Sequence, residues 1–381
     1  MNLKKILPQL LTVVVVVLIF GFFSYNAQVN MDNRGITFGY GFLSQESSFD
    51  VQFSLIEYDG SHSYFRAYLV GLLNTILVSV IGIVFATIIG VVVGIARLSK
   101  NYLIERTAAV YVEFFRNIPL LLQIFFWYFA ALRALPLPEK AEPMLGVFFL
   151  TIKGFFVPAF VWNNLDIFIY SIIAAIISIF FVRLYAKKKQ ENQGVQTPVL
   201  LISIGLLVVL PLLSFLIGGA EAYVEIPVIK QLSQSSFTYE GGLKLPPELI
   251  SLALALSLYT ATFIAENVRA GVQGVSKGQK EAAASIGLTP NQILKLVVMP
   301  QALRIIIPPT TNQYLNLTKN SSLAAAIAYP DLVLIFAGTA LMQTGRAIEI
   351  VSITMLTYLS LSISISILMN WYNKKIAIKE K

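Results

Sequence analysis

Long apolar runs alternate along this chain with short polar intervals, and the runs have the length of a bilayer crossing. A spanning helix needs about 20 consecutive apolar residues. The stretches 6–25, 68–96, 108–132, 167–185, 199–219, 249–268 and 348–371 meet that requirement. One further crossing falls between 300 and 341, where polar-flecked 303–322 precedes apolar 323–341, itself interrupted by Pro330-Asp331. The first of these two is expected to cross and the second to lie against the outer surface or dip partly in. The stretch 144–162 is also apolar, but it carries Lys153, Gly154 and Pro158 and is expected at the outer membrane face. The pattern therefore predicts an all-α polytopic membrane protein of about eight crossings. The outer segment 26–63, rich in Gly, Ser, Asn and Asp, reads as irregular rather than as a folded domain.

One polar interval stands out, from Ser276 to Pro300. Ser276 with Gln279 reads as a capping box that starts a helix through Glu281 and the three following alanines. Gly287 supplies the left-handed conformation that ends it. Thr289 with Gln292 offers a second capping box, with Pro290 at the favoured first helical position. The chain thus predicts helix, sharp turn, second helix 290–298, then re-entry into the membrane at Pro300. Small side chains at Ala282 and Ala283 would let a neighbouring surface approach closely; a plain amphipathic connector between two spans is the other reading.

Charge gives the orientation. The chain has 381 residues, is 56% hydrophobic and 13% charged, and carries a net charge of +8; its mean hydropathy is +0.74. The basic residues punctuate the apolar runs: Lys4 and Lys5; Arg97, Lys100 and Arg106; Arg183 and Lys187 to Lys189; Arg269, Lys277, Lys280, Lys295 and Arg304; Lys374, Lys375, Lys379 and Lys381. With eight crossings these clusters share one side, which the positive-inside rule makes cytoplasmic, with both termini there. The N-terminal run is long for a signal peptide and lacks a clear cleavage site, so an uncleaved anchor is expected. With no cysteine and His62 as the only histidine, thiol chemistry and multi-histidine metal sites are excluded, and no metal site is expected.

Glu281-Ala282-Ala283, Gly287 six positions after Glu281, and then Val297, Met299 and Pro300 resemble the EAA loop of ATP-binding-cassette (ABC) importer permeases. The family usually ends this loop in Ile-x-Leu-Pro, so the match is one substitution loose there. Gly71-Leu-Leu-Asn-Thr75, Gly94-Ile-Ala-Arg-Leu-Ser99, Phe115-Arg-Asn-Ile-Pro-Leu-Leu-Leu-Gln123, the run from Tyr259 to Gly271 and the run from Asn316 to Leu323 are similar to the polar-amino-acid branch of type I importers. The extra first helix and an inserted pair at about 166–220 exceed the usual core, a layout similar to one subunit of the general L-amino-acid permeases. The resemblance implies a permease domain over 66–381 after an anchor and outer loop over 1–65. It further implies a coupling loop at about 272–302 in which Glu281, Ala282, Ala283, Gly287, Leu288 and Pro300 meet a cytoplasmic ATPase. Partners would be an ATPase dimer, a second, homologous but non-identical permease and an external binding protein. ATP and magnesium would sit on the ATPase, leaving this chain no cofactor of its own.

Ionisable groups at bilayer depth are costly and usually face a bundle interior or water. Lys319, beside Asn316, Asn320, Ser321 and Ser322, is a candidate to attract a substrate carboxylate; snorkelling or pairing with Asp331 is the bland alternative. Asn117 and Gln123 are candidates to line the pathway, with cross-helix packing equally open. Glu266 and Arg269 are expected to form a local ion pair. Gly90 and Gly94 form a small-residue ridge for close helix approach, a structural role placed at the subunit interface. No Gly-x-x-x-x-Gly-Lys-[Ser/Thr] sequence is present, so the importer reading borrows its motor from another chain and the polypeptide itself is no enzyme. An ion-coupled secondary amino acid transporter is the alternative, needing intramembrane carboxylates or repeated halves. A membrane enzyme would need a reactive set that no spacing here supplies.

Overall fold

A computed structural model describes residues 3–33, 38–163, 165–195, 197–216, 221–233 and 236–376. Lys379, Lys381 and the 217–219 end of one expected span lie outside the described residues. Helices α1 (Leu3–Asn33), α2 (Tyr64–Ala96), α5 (Leu165–Gln193), α6 (Val199–Leu216) and α7 (Pro247–Gln273) follow the apolar runs. So do α9 (Pro290–Ile327) and α11 (Ala347–Ile376). Seven helices among the described residues are long and apolar enough to cross a membrane, and a bent pair makes a possible eighth. Mean hydropathy over these spans runs from 1.3 to 3.0.

The bent pair corrects the expected continuous helix over 108–132. Helices α3 (Tyr102–Asn117) and α4 (Leu120–Ala134) meet at 102°. Pro119 has no N–H to donate and disfavours helical geometry in the residue before it, and Ile118 is extended (φ −95°, ψ 130°). The expected pair of helices around Pro300 is also corrected: α9 is one run that opens with a π-helical section, Ile293–Val298. A π section loosens the hydrogen-bond ladder locally, which lets Pro300 ride inside the helix. The end of α9, Ser321–Ile327, tightens to a 3₁₀ turn, and α10 (Val333–Thr344) beyond it is apolar but too short to cross.

Chain contacts divide the structure into two units, Met1–Ile124 with Leu252–Lys381 and, separately, Phe125–Ser251. In the first, the start of α2 holds the segment before α10. Asn74 Nδ2 donates to the Pro330 carbonyl (2.8 Å) and the Phe53 carbonyl (2.9 Å), the Leu332 N–H donates to Thr75 Oγ1 (3.0 Å), and Tyr329 Oη donates to the Asn74 carbonyl (3.0 Å). Asp331 Oδ1 accepts the Leu334 N–H (2.8 Å) and so caps α10. Gly71 permits this approach, because a Cβ there would stand 2.9 Å from the Leu332 Cα. The segment 38–63, expected as an irregular loop, is irregular in backbone yet packed. Phe42 and Tyr64 are buried with Leu332, Phe336, Ala340 and Ile350, while Phe49, Val51, Ile56 and Tyr58 cover Ala67, Val70 and Ile335. Its aromatic residues find partners far along the chain and bring it down as a cap.

The second unit contains strands that the helical reading of the chain did not include. β1 (Phe149–Thr151), β2 (Gly154–Val157) and β7 (Leu243–Leu245) form an antiparallel sheet in the order β1-β2-β7. β3 (Ala159–Asn163) pairs with β4 (Glu221–Glu225), and β5 (Val228–Ser233) with β6 (Ser236–Glu240). The apolar stretch 144–162 is therefore mostly strand. β2 buries alternate residues, and Gly154 supplies a φ of +128° that a side chain would resist. The helix hairpin α5–α6 is inserted between β3 and β4.

The Gly71 contact yields a test. Gly71→Ala must push the Leu332 backbone away and should cost about 1–3 kcal/mol, lowering the melting temperature of the detergent-solubilised protein. Gly278→Ala, in open space on an exposed helix, should leave it unchanged or slightly higher.

Candidate functional site

The polar interval folds as a short stiff elbow. Ser276 Oγ accepts the Gln279 N–H (3.4 Å) and starts α8 (Lys277–Ser285). The reciprocal half of that capping box is not made, since Gln279 Oε1 accepts instead from Gln301 Nε2 (3.4 Å). At the other end Gly287, at φ +85°, donates to the Ala284 carbonyl (2.9 Å) and Leu288 donates to the Ala283 carbonyl (3.2 Å). These two bonds are the Schellman pattern, which satisfies the last carbonyls of a helix and fixes the direction of exit. Thr289 and Gln292 then close a complete capping box at the start of α9. Every turn of the elbow is thus held by named hydrogen bonds.

Its surface sorts the expected contact residues. Glu281 and Ala282 are exposed, Leu288 is half-buried, and Ala283 is buried where α8 packs back on Ile293–Val298. Pro300 is half-buried inside α9. Ile286 was not singled out by the sequence, yet it is 77% exposed at the tip of an otherwise polar helix. A bulky apolar side chain held out by a rigid polar element is a ready anchor for another surface. The signal for it was present: one isoleucine inside a polar run, next to the glycine that ends the helix.

The elbow is mounted on a tight three-helix contact. A Cβ on Gly271 of α7 would stand 2.3 Å from Ile306 Cγ1 of α9, and one on Gly90 or Gly94 of α2 would stand 2.6 Å from Ile264 Cβ or 2.7 Å from Val268 Cβ of α7. The small-residue ridge therefore works inside the chain, bringing α2 against α7. At the same level Arg97 of α2 pairs with Glu266 of α7, and Arg269 pairs with the other carboxylate oxygen (2.9 Å) and donates to Gln273 (2.9 Å). The expected local pair is thus one arm of a cross-helix network only 15–32% exposed.

The membrane-facing candidates separate into two groups. Gln123 is buried and turned to the bend, where Nε2 donates to the Phe115 carbonyl (2.8 Å), freed by the missing N–H of Pro119, and to the carbonyl of extended Ile118 (2.9 Å). Asn117 is exposed and is not brought beside it by a hydrogen bond among the described residues. On α9, Asn316 and Lys319 are exposed and Asn320 half-buried, whereas Ser321 and Ser322 bond back to the Thr318 and Lys319 carbonyls (2.7 Å each). Lys319 has no ion-pair partner among the described residues, and Asp331 is occupied as a helix cap. Asn312, missed from sequence, lies one turn before Asn316 on the same face and is exposed. It borders a cavity of 400 Å³ with Thr311, Ser366, Asn370 and Asn373, between α9 and α11. A polar stripe exposed on an apolar helix points to water or to a partner rather than to lipid.

The sequence is similar to those of known proteins. A family model described as a binding-protein-dependent transport system inner membrane component matches residues 195–378. The chain is 47% identical to the putative amino-acid ABC transporter permease protein YhdX of Escherichia coli, over 98% of this chain and 94% of that one. It is 47% identical to the general L-amino acid transport system permease protein AapQ of Rhizobium johnstonii, over 99% and 93%. With the glutamate/glutamine/aspartate/asparagine transport system permease protein BztB of Rhodobacter capsulatus it shares 39% identity, over 93% and 89%.

The charge network gives a second test. Glu266→Gln leaves two guanidinium groups without their shared carboxylate and should cost about 1–3 kcal/mol, seen as a lower melting temperature. Arg269→Gln, the more exposed arm, should cost less; equal melting of Glu266→Gln and the parent protein would contradict the network's role.

Proposed function

The chain belongs to the ABC transporter permeases of the binding-protein-dependent type, and from that premise we propose that it carries L-amino acids inward through a pore moved from the cytoplasm by a separate ATPase. It is a membrane-spanning transport subunit of the inner membrane. The observation that carries the mechanical reading is the elbow: a helix with fixed ends, an exposed Ile286, and glycine contacts that tie its base to α2 and α9. The sequence holds no phosphate loop of its own, which supports placing ATP and magnesium on a partner ATPase dimer. Closure of that dimer would push both elbows together, and the rigid base would pass the displacement to the spanning helices as alternating access.

A second permease subunit, homologous and non-identical, would face the polar stripe of Asn312, Asn316 and Lys319. Lys319 then offers a cation to the carboxylate that every amino acid carries, with the neighbouring amides supplying further hydrogen bonds. An external binding protein would deliver substrate to the outer side. The positive-inside pattern supports both termini in the cytoplasm. An ion-coupled carrier is not favoured. The intramembrane carboxylate of Glu266 is committed to two arginines, and no repeated halves supply the broken helices such carriers use.

Two outcomes follow. Burying Ile286 on docking should contribute about 2 kcal/mol, so Ile286→Asp should weaken ATPase co-purification by about thirtyfold or more while the protein still inserts and melts normally. Undiminished co-purification would remove Ile286 from the interface. Lys319→Ala should cut uptake about tenfold or more at normal assembly; unchanged uptake kinetics would remove Lys319 from the substrate path.

A further inference from the structure

The α5–α6 hairpin carries, at the end where its two helices join, a polar cavity that the transport reading does not use. Its volume is 310 Å³ and it is lined by Arg183, Ala186, Lys187 and Gln190 of α5 and by Thr197 and Val199 at the start of α6. Arg183 and Lys187 stand one turn apart on the same helix face. Four cations, Arg183 and Lys187 to Lys189, surround this end against the single carboxylate of Glu191. Lys187 meets Glu191 only at 3.9 Å with both side chains exposed, Lys189 lies over the Tyr185 ring, and Arg183 has no ion-pair partner among the described residues. The positive charge is therefore largely unspent.

Two further observations aim that charge into the cavity. Thr197 Oγ1 is buried without a hydrogen-bond partner, although it lines the space. The cavity also lies at the N-terminus of the 18-residue helix α6; the Val199 N–H is taken by the Thr197 carbonyl (2.8 Å) and Pro198 has none, so this end favours an anion through the positive end of the helix dipole. Guanidinium, ammonium and hydroxyl groups around one pocket, at the positive end of a helix, are the donor set of a phosphate site. The site terminates two helices of bilayer length, so it stands at headgroup level, where basic pockets between spans take anionic lipid headgroups. By the positive-inside pattern this is the cytoplasmic leaflet.

We propose that the joined end of the α5–α6 hairpin binds the phosphate of an anionic phospholipid, with Arg183, Lys187 and Thr197 as its ligands. The hairpin is thereby anchored to the leaflet. Gln190 is placed to bond a headgroup hydroxyl or a free phosphate oxygen.

The test is native mass spectrometry of the full-length protein in detergent, titrated separately with phosphatidylglycerol, phosphatidylethanolamine and inorganic phosphate. The parent protein should retain phosphatidylglycerol well above phosphatidylethanolamine. Arg183→Gln with Lys187→Gln should lower that retention about tenfold to thirtyfold, two basic side chains being removed. Lys374→Gln with Lys375→Gln, which removes the same charge elsewhere, should lower it less than twofold. Equal retention in the parent and the Arg183/Lys187 variant, or equal loss in both double variants, would overturn the site. Binding of inorganic phosphate that displaces phosphatidylglycerol at similar concentration would replace the lipid with a free anion and overturn the lipid assignment. If the Arg183/Lys187 variant does not fold, Thr197→Val decides: it keeps every charge, and retention at the parent level would sink the proposal.

Discussion

The close approach of α7 to its two neighbours is the constraint on which the rest depends. Glycines at 90, 94 and 271 remove the side chains that would hold α2, α7 and α9 apart. In a bilayer there is little hydrophobic drive between helices, so van der Waals contact through small residues and satisfied polar groups must hold a bundle together. Glu266 adds the polar part, bound by one arginine of its own helix and one of α2. The elbow begins four residues after α7 ends. A force on α8 therefore meets helices that are already locked, which is what a coupling element requires.

The two ends of the first unit are built by different physics. At the elbow, backbone hydrogen bonds and caps fix a solvent-facing element that buries little. Near α10, aromatic burial under the 38–63 cap and three hydrogen bonds with α2 fix a segment that could not cross a membrane by itself. Asn74 and Thr75, which sequence similarity marks without explaining, are there to satisfy the backbone around Pro330. The bend at Pro119 is treated the same way: Gln123 takes the Phe115 carbonyl freed by the missing N–H and the carbonyl of extended Ile118, which accounts for a glutamine also read as a pathway candidate.

Much of this was legible because the bilayer imposes a length and a charge pattern that a single sequence displays. The elbow was legible in Ser276, Gly287 and Thr289, which act on residues within a few positions of themselves, but not in Gln279, whose partner Gln301 lies 22 residues on. What was not legible depends on partners far along the chain. Phe42 and Phe336 meet across nearly 300 residues, so polar composition disguised the cap as a loose loop. Strands β2 and β3 hid in an apolar stretch because their partners β7 and β4 come after the inserted helices, and β1 pairs only with β2. The sequence grouped Ala283 with the contact residues and passed over Ile286; Ala283 is covered because α8 folds back on Ile293–Val298, while Ile286 stands at the C-cap beyond that cover.

The central claim is that another polypeptide grips this elbow and that the grip moves the pore. The chain has no cysteine, so Ile286→Cys places one thiol at the tip. Chemical cross-linking of that thiol in native membranes, with uptake measured alongside, tests the claim most directly. The account predicts a covalent product with the ATPase subunit and transport that responds to the cross-link. A tip thiol that reacts freely with solvent reagents throughout the transport cycle, joins to no ATPase and leaves uptake unaltered when modified with a bulky group would contradict it.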